Sequence, residues 1–249
     1  MSEKREHTES TPEGEHVSLH ADCEHCFALC CVAPAFSASA DFAINKPSGQ
    51  ACPHLQPDFR CGIHTNLRKQ GFRGCTVYDC FGAGQKVSQG TYAGQDWRLA
   101  PHTATQMFEV FPIVRDLHEL CWYLTEALTL QAAGPLHDEL RLALQKTNRI
   151  TQGSPHALLA LDVAAHRRDV NALLLQTSEN TRAEIRHTKT DYRGADLIGA
   201  KLEGANLGGA NLTGSIFLIQ SQLDSAKGND ETRLSPSFVR PAHWASSGT

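Results

Sequence analysis

The hydrophobic positions between residues 102 and 187 repeat with the spacing of amphipathic helices. The clearest stripe recurs at intervals of three and four residues and consists of Leu117, Leu120, Cys121, Leu124 and Leu128. Pro112 predicts a break before this helix, because a proline in a helix interior removes one backbone hydrogen bond. Cys121 lies within the stripe, so we interpret it as a buried thiol, and we interpret His118 beside it as structural.

Two further helices are predicted after this one. Leucines at a spacing of four (Leu136, Leu140 and Leu144) indicate a helix over residues 135–149. Ser154 followed by Pro155 has the form of an N-cap and a first-turn proline, and it predicts a third helix that runs to about residue 186. The three helices together predict a small bundle.

The chain has a different pattern before this bundle, where eight of its nine cysteines fall within residues 23–80. The first four form the tight group Cys23-x2-Cys26-x3-Cys30-Cys31, and the others are Cys52, Cys61, Cys75 and Cys80. Recurrent Gly and Pro between them predict loops and short elements. A fold of this kind often needs a metal or cross-links to hold it together.

Residues 191–219 repeat with a period of five. Four full repeats follow one another from Ala195 to Gly214, each with a small residue first, a leucine third and a glycine last. A period of five fits neither a helix nor a flat strand. It predicts a solenoid in which each five-residue side ends at a corner, with one large and one small residue pointing inward.

These repeats resemble the pentapeptide-repeat family, whose pattern is A(D/N)LxG. The resemblance implies a right-handed, four-sided β-helix, and four repeats would make one coil of it. Some longer members of that family imitate DNA and bind topoisomerases, which requires a long acidic rod. The present repeat tract is short and of mixed charge, so we expect it to cap or pack on the helices.

The cysteine region resembles a zinc- or iron-chelating family with a CxxCxxxCC signature, here Cys23, Cys26, Cys30 and Cys31. The later motifs of that family correspond to Cys52-Pro-His-Leu, Cys61-Gly-Ile-His and Cys75 followed by Tyr78-Asp-Cys80. The resemblance implies a bound metal centre. Some relatives are linked to an iron–sulfur cluster and to lysine methylation of a partner protein.

All eight cysteines (Cys23, Cys26, Cys30, Cys31, Cys52, Cys61, Cys75 and Cys80) are therefore candidate ligands. Four thiolates satisfy one zinc ion or one four-iron cluster, so eight could serve one site or two. Because neighbouring side chains diverge, Cys30 and Cys31 are expected to point to different places. All-thiolate sites suit both metals. The family resemblance favours an iron–sulfur cluster or iron slightly over zinc.

Charge and composition narrow the class of partner. The formal net charge is −4, and it is carried by residues 1–22, with six acids and two bases, so the other 227 residues sum to zero. No strongly basic surface is expected, which argues against a nucleic-acid partner. The apolar stretch over residues 27–36 is too short to span a bilayer, and an acidic segment precedes it where a secretion signal needs a basic one. We expect a cytoplasmic protein whose thiols are free. A protein partner is possible, and we expect no membrane partner.

The sequence as a whole predicts an α+β fold. Its parts are a disordered tail over residues 1–18, an irregular metal-binding domain over 19–100, a helical region over 101–187, the pentapeptide β-helix over 190–226 and an irregular tail over 227–249. The favoured function is metal or iron–sulfur binding. A protein-interaction scaffold with a purely structural zinc site is the alternative, and an enzyme that modifies a partner protein ranks third because no glycine-rich cofactor loop supports it.

Overall fold

A computed structural model describes residues 18–183, 191–193 and 195–246. The predicted disordered tail therefore lies outside the described residues except for residue 18, and so do the last three residues of the C-terminal tail. The described cysteine region contains only short helical elements. They are a 3-10 turn Cys23–His25, α1 (Leu29–Val32), a 3-10 turn His64–Asn66, α2 (Arg73–Thr76), and α3 (Ala83–Gln85), which continues as a π-helical turn Lys86–Thr91.

The long helices follow this region. They are α4 (Pro101–Ala127), α5 (His137–Ile150) after a 3-10 segment Gln131–Leu136, α6 (Pro155–Leu159) and α7 (Val163–Ala183). A short α8 (Gln220–Ser225) and a 3-10 turn Ala242–Ser246 complete the described elements. No helix among the described residues is long and apolar enough to span a bilayer.

The predicted break at Pro112 is wrong, because α4 continues through it without interruption. A proline inside a helix costs about 3 kcal/mol. Burial of the surrounding helix face offsets this cost, since Val110, Phe111 and Val114 are each at most 1% exposed. The predicted third helix begins as expected, with the Ser154 side chain accepting a hydrogen bond from Ala157 N–H. It is then divided, because α6 ends at Leu159 and Asp162 caps α7 through a 2.8 Å bond from Ala165 N–H.

The α+β class and the β-helix are also wrong. The described residues contain no strand, and only six isolated bridges occur among them. The repeat tract turns at every fifth residue, where glycines with left-handed φ of 61° to 71° recur: Gly199, Gly204, Gly209 and Gly214. The sides that pair contribute one bridging residue each, as in the parallel bridge of Asp196 with Ile216, and the side that contains Lys201 contributes none. A ladder of consecutive pairs, which defines a strand, cannot form over so short a side.

Helix α4 is the centre of the packing. Its first half packs against the cysteine region, with Met107 and Val114 beside Leu29 and Val87. Its second half packs against α5, α7 and the end of the repeats, in a core whose buried members include Leu124, Leu140, Leu174 and Phe217. A third core lies within the repeats and α8 and includes Leu207, Leu212, Leu223 and Trp244.

Candidate metal centre

Electrostatic interactions connect the eight predicted cysteines, with Cys30 at the centre and Cys52 joined through Cys61 and Cys75. Side-chain hydrogen bonds link Cys30 to Cys31 and Cys31 to Cys61. The remaining thiols that interact electrostatically with Cys30 are Cys23, Cys26, Cys75 and Cys80. Cys52 interacts with both Cys61 and Cys75. All eight are free thiols, so they remain available as ligands.

Backbone hydrogen bonds hold the cysteine loops against one another. Cys52 N–H donates to the carbonyl of Cys31 at 3.0 Å, which joins the loop that contains Cys52 to α1. An antiparallel bridge between Leu55 and Cys61 then places the segment that contains Cys61 against the loop that contains Cys52. On the other side, Asp22 N–H donates to Gln85 Oε1 at 3.2 Å and ties the Cys23–His25 turn to α3.

Two left-handed turns aim backbone N–H groups at sulfur. Ala28, with φ of 56°, follows Cys26, whose sulfur accepts hydrogen bonds from the N–H groups of Ala28 and Leu29. Phe81, with φ of 47°, follows Cys80, whose sulfur accepts from Gly82 and Gly84. Hydrogen bonds of this kind favour the thiolate over the thiol. They are also one of the means by which proteins tune thiolate-bound iron–sulfur clusters.

The two turns also approach each other closely. A Cβ placed on Gly84 would lie 2.6 Å from Cys26 Sγ, so position 84 has no room for any side chain. Gly82 has φ of 75°, a conformation that glycine adopts without strain. The glycines of the GxG sequence after Cys80 therefore serve the packing of the cysteine turns.

Partial desolvation raises the pKa of most of these thiols and favours their neutral form in the absence of a metal, although Cys23, Cys30 and Cys75 keep exposed surface. Desolvation raises the pKa of Cys26 to about 12 and that of Cys75 to about 11. The hydrogen bond that Cys30 makes with Cys31, followed by desolvation, raises the pKa of Cys30 well above its ordinary value. A soft metal binds the thiolate, so metal binding at these positions would release protons.

The thiol groups of the site are chemically suited to a thiolate-bound centre, whereas the arrangement of these side chains does not match a site for a single metal ion. Among the described residues, no group of three or more His, Cys, Asp or Glu side chains is arranged to hold a single metal ion.

The histidines of the cysteine region lie at its edges. His25 is exposed and its Nδ1 lies 2.7 Å from Asp22 Oδ2. The His54 ring contacts the edge of Phe72, at 5.1 Å between ring centroids. His64 is exposed at the start of its 3-10 turn.

Helix α4 contributes a buried histidine to one of these turns, and its own cysteine faces α5. His118 is fully buried, and its Nδ1 lies 2.7 Å from the carbonyl oxygen of Phe81, so it fixes the turn after Cys80. This agrees with the interpretation of His118 as structural and identifies the turn after Cys80 as what it supports. Cys121 is 1% exposed and donates to Asn148 Oδ1 at 3.1 Å, which confirms the buried thiol.

Lys46 is a further residue of this region that the sequence did not indicate. This side chain is 3% exposed and its ammonium donates to three backbone carbonyls close to Cys31 and Cys52. A single lysine in a loop carries no sequence pattern that indicates burial. The two hydrogen-bonded loops around it become neighbours only in the folded chain.

Two comparisons place the chain among known proteins. The pentapeptide-repeat family model matches residues 188–218 with eight copies of the repeat. "Uncharacterized protein YybG" of Bacillus subtilis (strain 168) is 48% identical over 267 aligned residues, which cover 92% of this chain and 96% of the relative. No solved structure matches the chain.

The repeat match confirms the first of the two family resemblances. The resemblance of the cysteine region to the CxxCxxxCC family stays a prediction. Because identity of this level extends over nearly the whole of both chains, the protein belongs to the same family as YybG, and it is a pentapeptide-repeat protein.

Proposed function

We propose that this protein binds a metal centre through its N-terminal cysteines, with an iron–sulfur cluster or iron favoured over zinc. The observation that carries the proposal is the electrostatic coupling of eight free thiols, seven of them including or joined to Cys30 and the eighth, Cys52, joined through Cys61 and Cys75. Two of these thiols, Cys26 and Cys80, accept backbone N–H groups from left-handed turns. Reduced thiols at this density are typical of soft-metal sites in a reducing compartment. We accordingly place the protein in the cytoplasm.

The preference for iron–sulfur over zinc rests on the family resemblance. A structural zinc ion needs four ligands that meet at one point, about 2.3 Å from each sulfur. The described cysteines form no such group. All-thiolate sites suit both metals, so the arrangement of the cysteines does not decide between them.

A structural zinc site in an interaction protein is the second candidate. The cysteine region supports it because its α-helices are only three or four residues long. Elements so short supply little core of their own, so a metal would hold the region together. In that case function would lie on the surface of the helices and repeats, with a protein as the partner.

Serine substitution of single cysteines tests the proposal. We expect Cys52→Ser and Cys80→Ser to retain less than about a third of the wild-type metal after purification without oxygen, because serine is a poor ligand for soft metals. Cys121→Ser is the matched control, since this thiol lies on α4 outside the group, and it should keep the wild-type content. Elemental analysis per folded chain gives the result. Wild-type metal content in both loop variants would overturn the proposal.

A further inference from the structure

Lys46 is a buried cation inside the cysteine region. Its backbone is fixed by a bridge to Phe36, in which Phe36 N–H donates to the Lys46 carbonyl at 2.9 Å and Lys46 N–H donates to the Phe36 carbonyl at 2.8 Å. The side chain then runs inward and is 3% exposed. Lysine is almost never buried to this degree unless its charge is compensated.

The ammonium is held between two cysteine loops. Nζ donates to the carbonyls of Val32 at 2.9 Å, Gln50 at 3.0 Å and Pro47 at 3.2 Å. These bonds use the full donor capacity of the ammonium. Because Val32 follows Cys31 and Gln50 lies two residues before Cys52, the side chain clips these two loops together.

Hydrogen bonds to neutral carbonyls leave the charge itself without an anionic partner. No described carboxylate forms an ion pair with Lys46. The Phe36 ring, 5.3 Å from Nζ, offers only a weak cation–π contact. The titratable groups that act on the ammonium charge are all thiols, namely Cys52, Cys31, Cys75 and Cys30.

A buried charge without a partner costs several kcal/mol. Neutral thiols cannot offset it, whereas thiolates can. A four-iron cluster or a zinc ion held by four thiolates would carry a net negative charge, and this charge would lie beside the ammonium. The fold thus holds a fixed positive charge at the place where a thiolate-bound metal would need one.

We propose that Lys46 is the built-in counter-cation of the cysteine centre, and that it offsets the negative charge of the metal-bound thiolates of Cys31, Cys52 and Cys75. This inference rests on the proposed metal-binding function and adds to it a positioning residue that is not itself a ligand. It also identifies these three cysteines as members of the charged ligand set. Removal of the charge should weaken metal binding without removal of any sulfur.

The test compares Lys46→Met with Lys69→Met in protein purified without oxygen. Methionine keeps an unbranched apolar stem and removes the charge, and Lys69 is an exposed lysine of the same region. Bound metal is titrated with EDTA, and we expect half-removal from Lys46→Met at an EDTA concentration at least tenfold lower than for the wild type. Lys69→Met should follow the wild type. An unchanged EDTA midpoint in Lys46→Met would overturn the inference while the metal-binding proposal stands.

Two more variants separate charge from packing. Lys46→Arg keeps the charge and should retain metal better than Lys46→Gln, which keeps hydrogen-bond donors but is neutral. Circular dichroism of each variant reports whether the helices are intact. Equal loss of metal from Lys46→Arg and Lys46→Gln would show that the charge of Lys46 does not matter. Loss of the helix signal in both Lys46→Met and Lys46→Gln would show that Lys46 acts by holding the fold together. Either result would overturn the counter-cation role. A wild-type protein that holds no metal would instead defeat the proposed function.

Discussion

At the scale of single residues, the cysteine centre depends on positions that are not cysteines. Gly84 gives Cys26 its space, and His118 fixes the turn after Cys80 by its bond to the Phe81 carbonyl. The cysteine spacing indicated the candidate ligands but neither Gly84 nor His118 as a support for them. A glycine that is needed for close approach looks in sequence like any glycine of a loop.

Substitution of Gly84 by alanine should damage the centre directly. The new methyl group would lie 2.6 Å from Cys26 Sγ, so the two turns must separate. Overpacking of this kind costs about 1–3 kcal/mol. We expect a lower melting temperature and a loss of at least half of the bound metal per folded chain.

Gly134→Ala is the control for this substitution, because nothing lies within 4 Å of a Cβ at position 134. Thermal unfolding and elemental analysis of both variants give the comparison. A Gly84→Ala protein with wild-type stability and metal content would show that the contact with Cys26 is dispensable.

At the scale of elements, helix α4 joins the cysteine region to the repeats. Near its end, Glu126 Oε1 accepts a hydrogen bond from Phe217 N–H at 2.7 Å, at a residue whose φ is 59°. Desolvation raises the pKa of this carboxyl to about 7 from its ordinary 4.5. Between about pH 4.5 and pH 7 the folded protein therefore binds more protons here than the unfolded chain does, and stability falls as the pH rises.

Glu126→Gln should remove this pH dependence. The amide oxygen still accepts the bond from Phe217 N–H, but it carries no charge to desolvate. At pH 8 we expect the variant to be more stable than the wild type by about 1–2 kcal/mol, after allowance for solvent screening, with little difference at pH 5.

Thermal unfolding at the two pH values is the measurement, and Glu139→Gln on the exposed face of α5 is the control. A Glu126→Gln protein that is less stable than the wild type at pH 8 would contradict the desolvation argument. Equal melting temperatures at both pH values would do the same.

The long elements were predictable from periodicity, and their interruptions were not. The leucine stripe indicated α4, and the Ser154-Pro155 start was correct. The continuity through Pro112 depends on tertiary burial, which a proline rule does not include. The missing strands follow from the length of each repeat side, because a turn at every fifth residue limits pairing to single bridges.

At the scale of the whole molecule, the predicted parts are packed into one another. Phe217 and Ile219 at the end of the repeats belong to the same core as Leu120 and Leu124 of α4. Arg68 of the cysteine region donates to the carbonyl of Asp224 in α8. Contacts between residues so far apart in sequence arise from the fold, and no periodicity of the chain predicts them.

The contacts around the candidate centre were likewise only partly predictable from the sequence. Cysteine spacing could predict which residues gather, because eight thiols within 58 positions have few other uses in a reducing compartment. Cysteine spacing could not predict the proposed counter-charge, because the position of Lys46 beside the cysteines depends on the backbone bridge between Lys46 and Phe36. Sequence reasoning therefore identified candidate ligands and missed what surrounds them.

The measurement that tests this account most directly is the metal and acid-labile sulfide content of wild-type protein purified without oxygen, together with its visible spectrum. The account predicts bound iron, inorganic sulfide and a broad charge-transfer absorption in the visible range. Colourless protein with stoichiometric zinc would favour the structural-zinc alternative. Protein with neither metal, and with all nine thiols reactive once it is unfolded, would contradict the central claim.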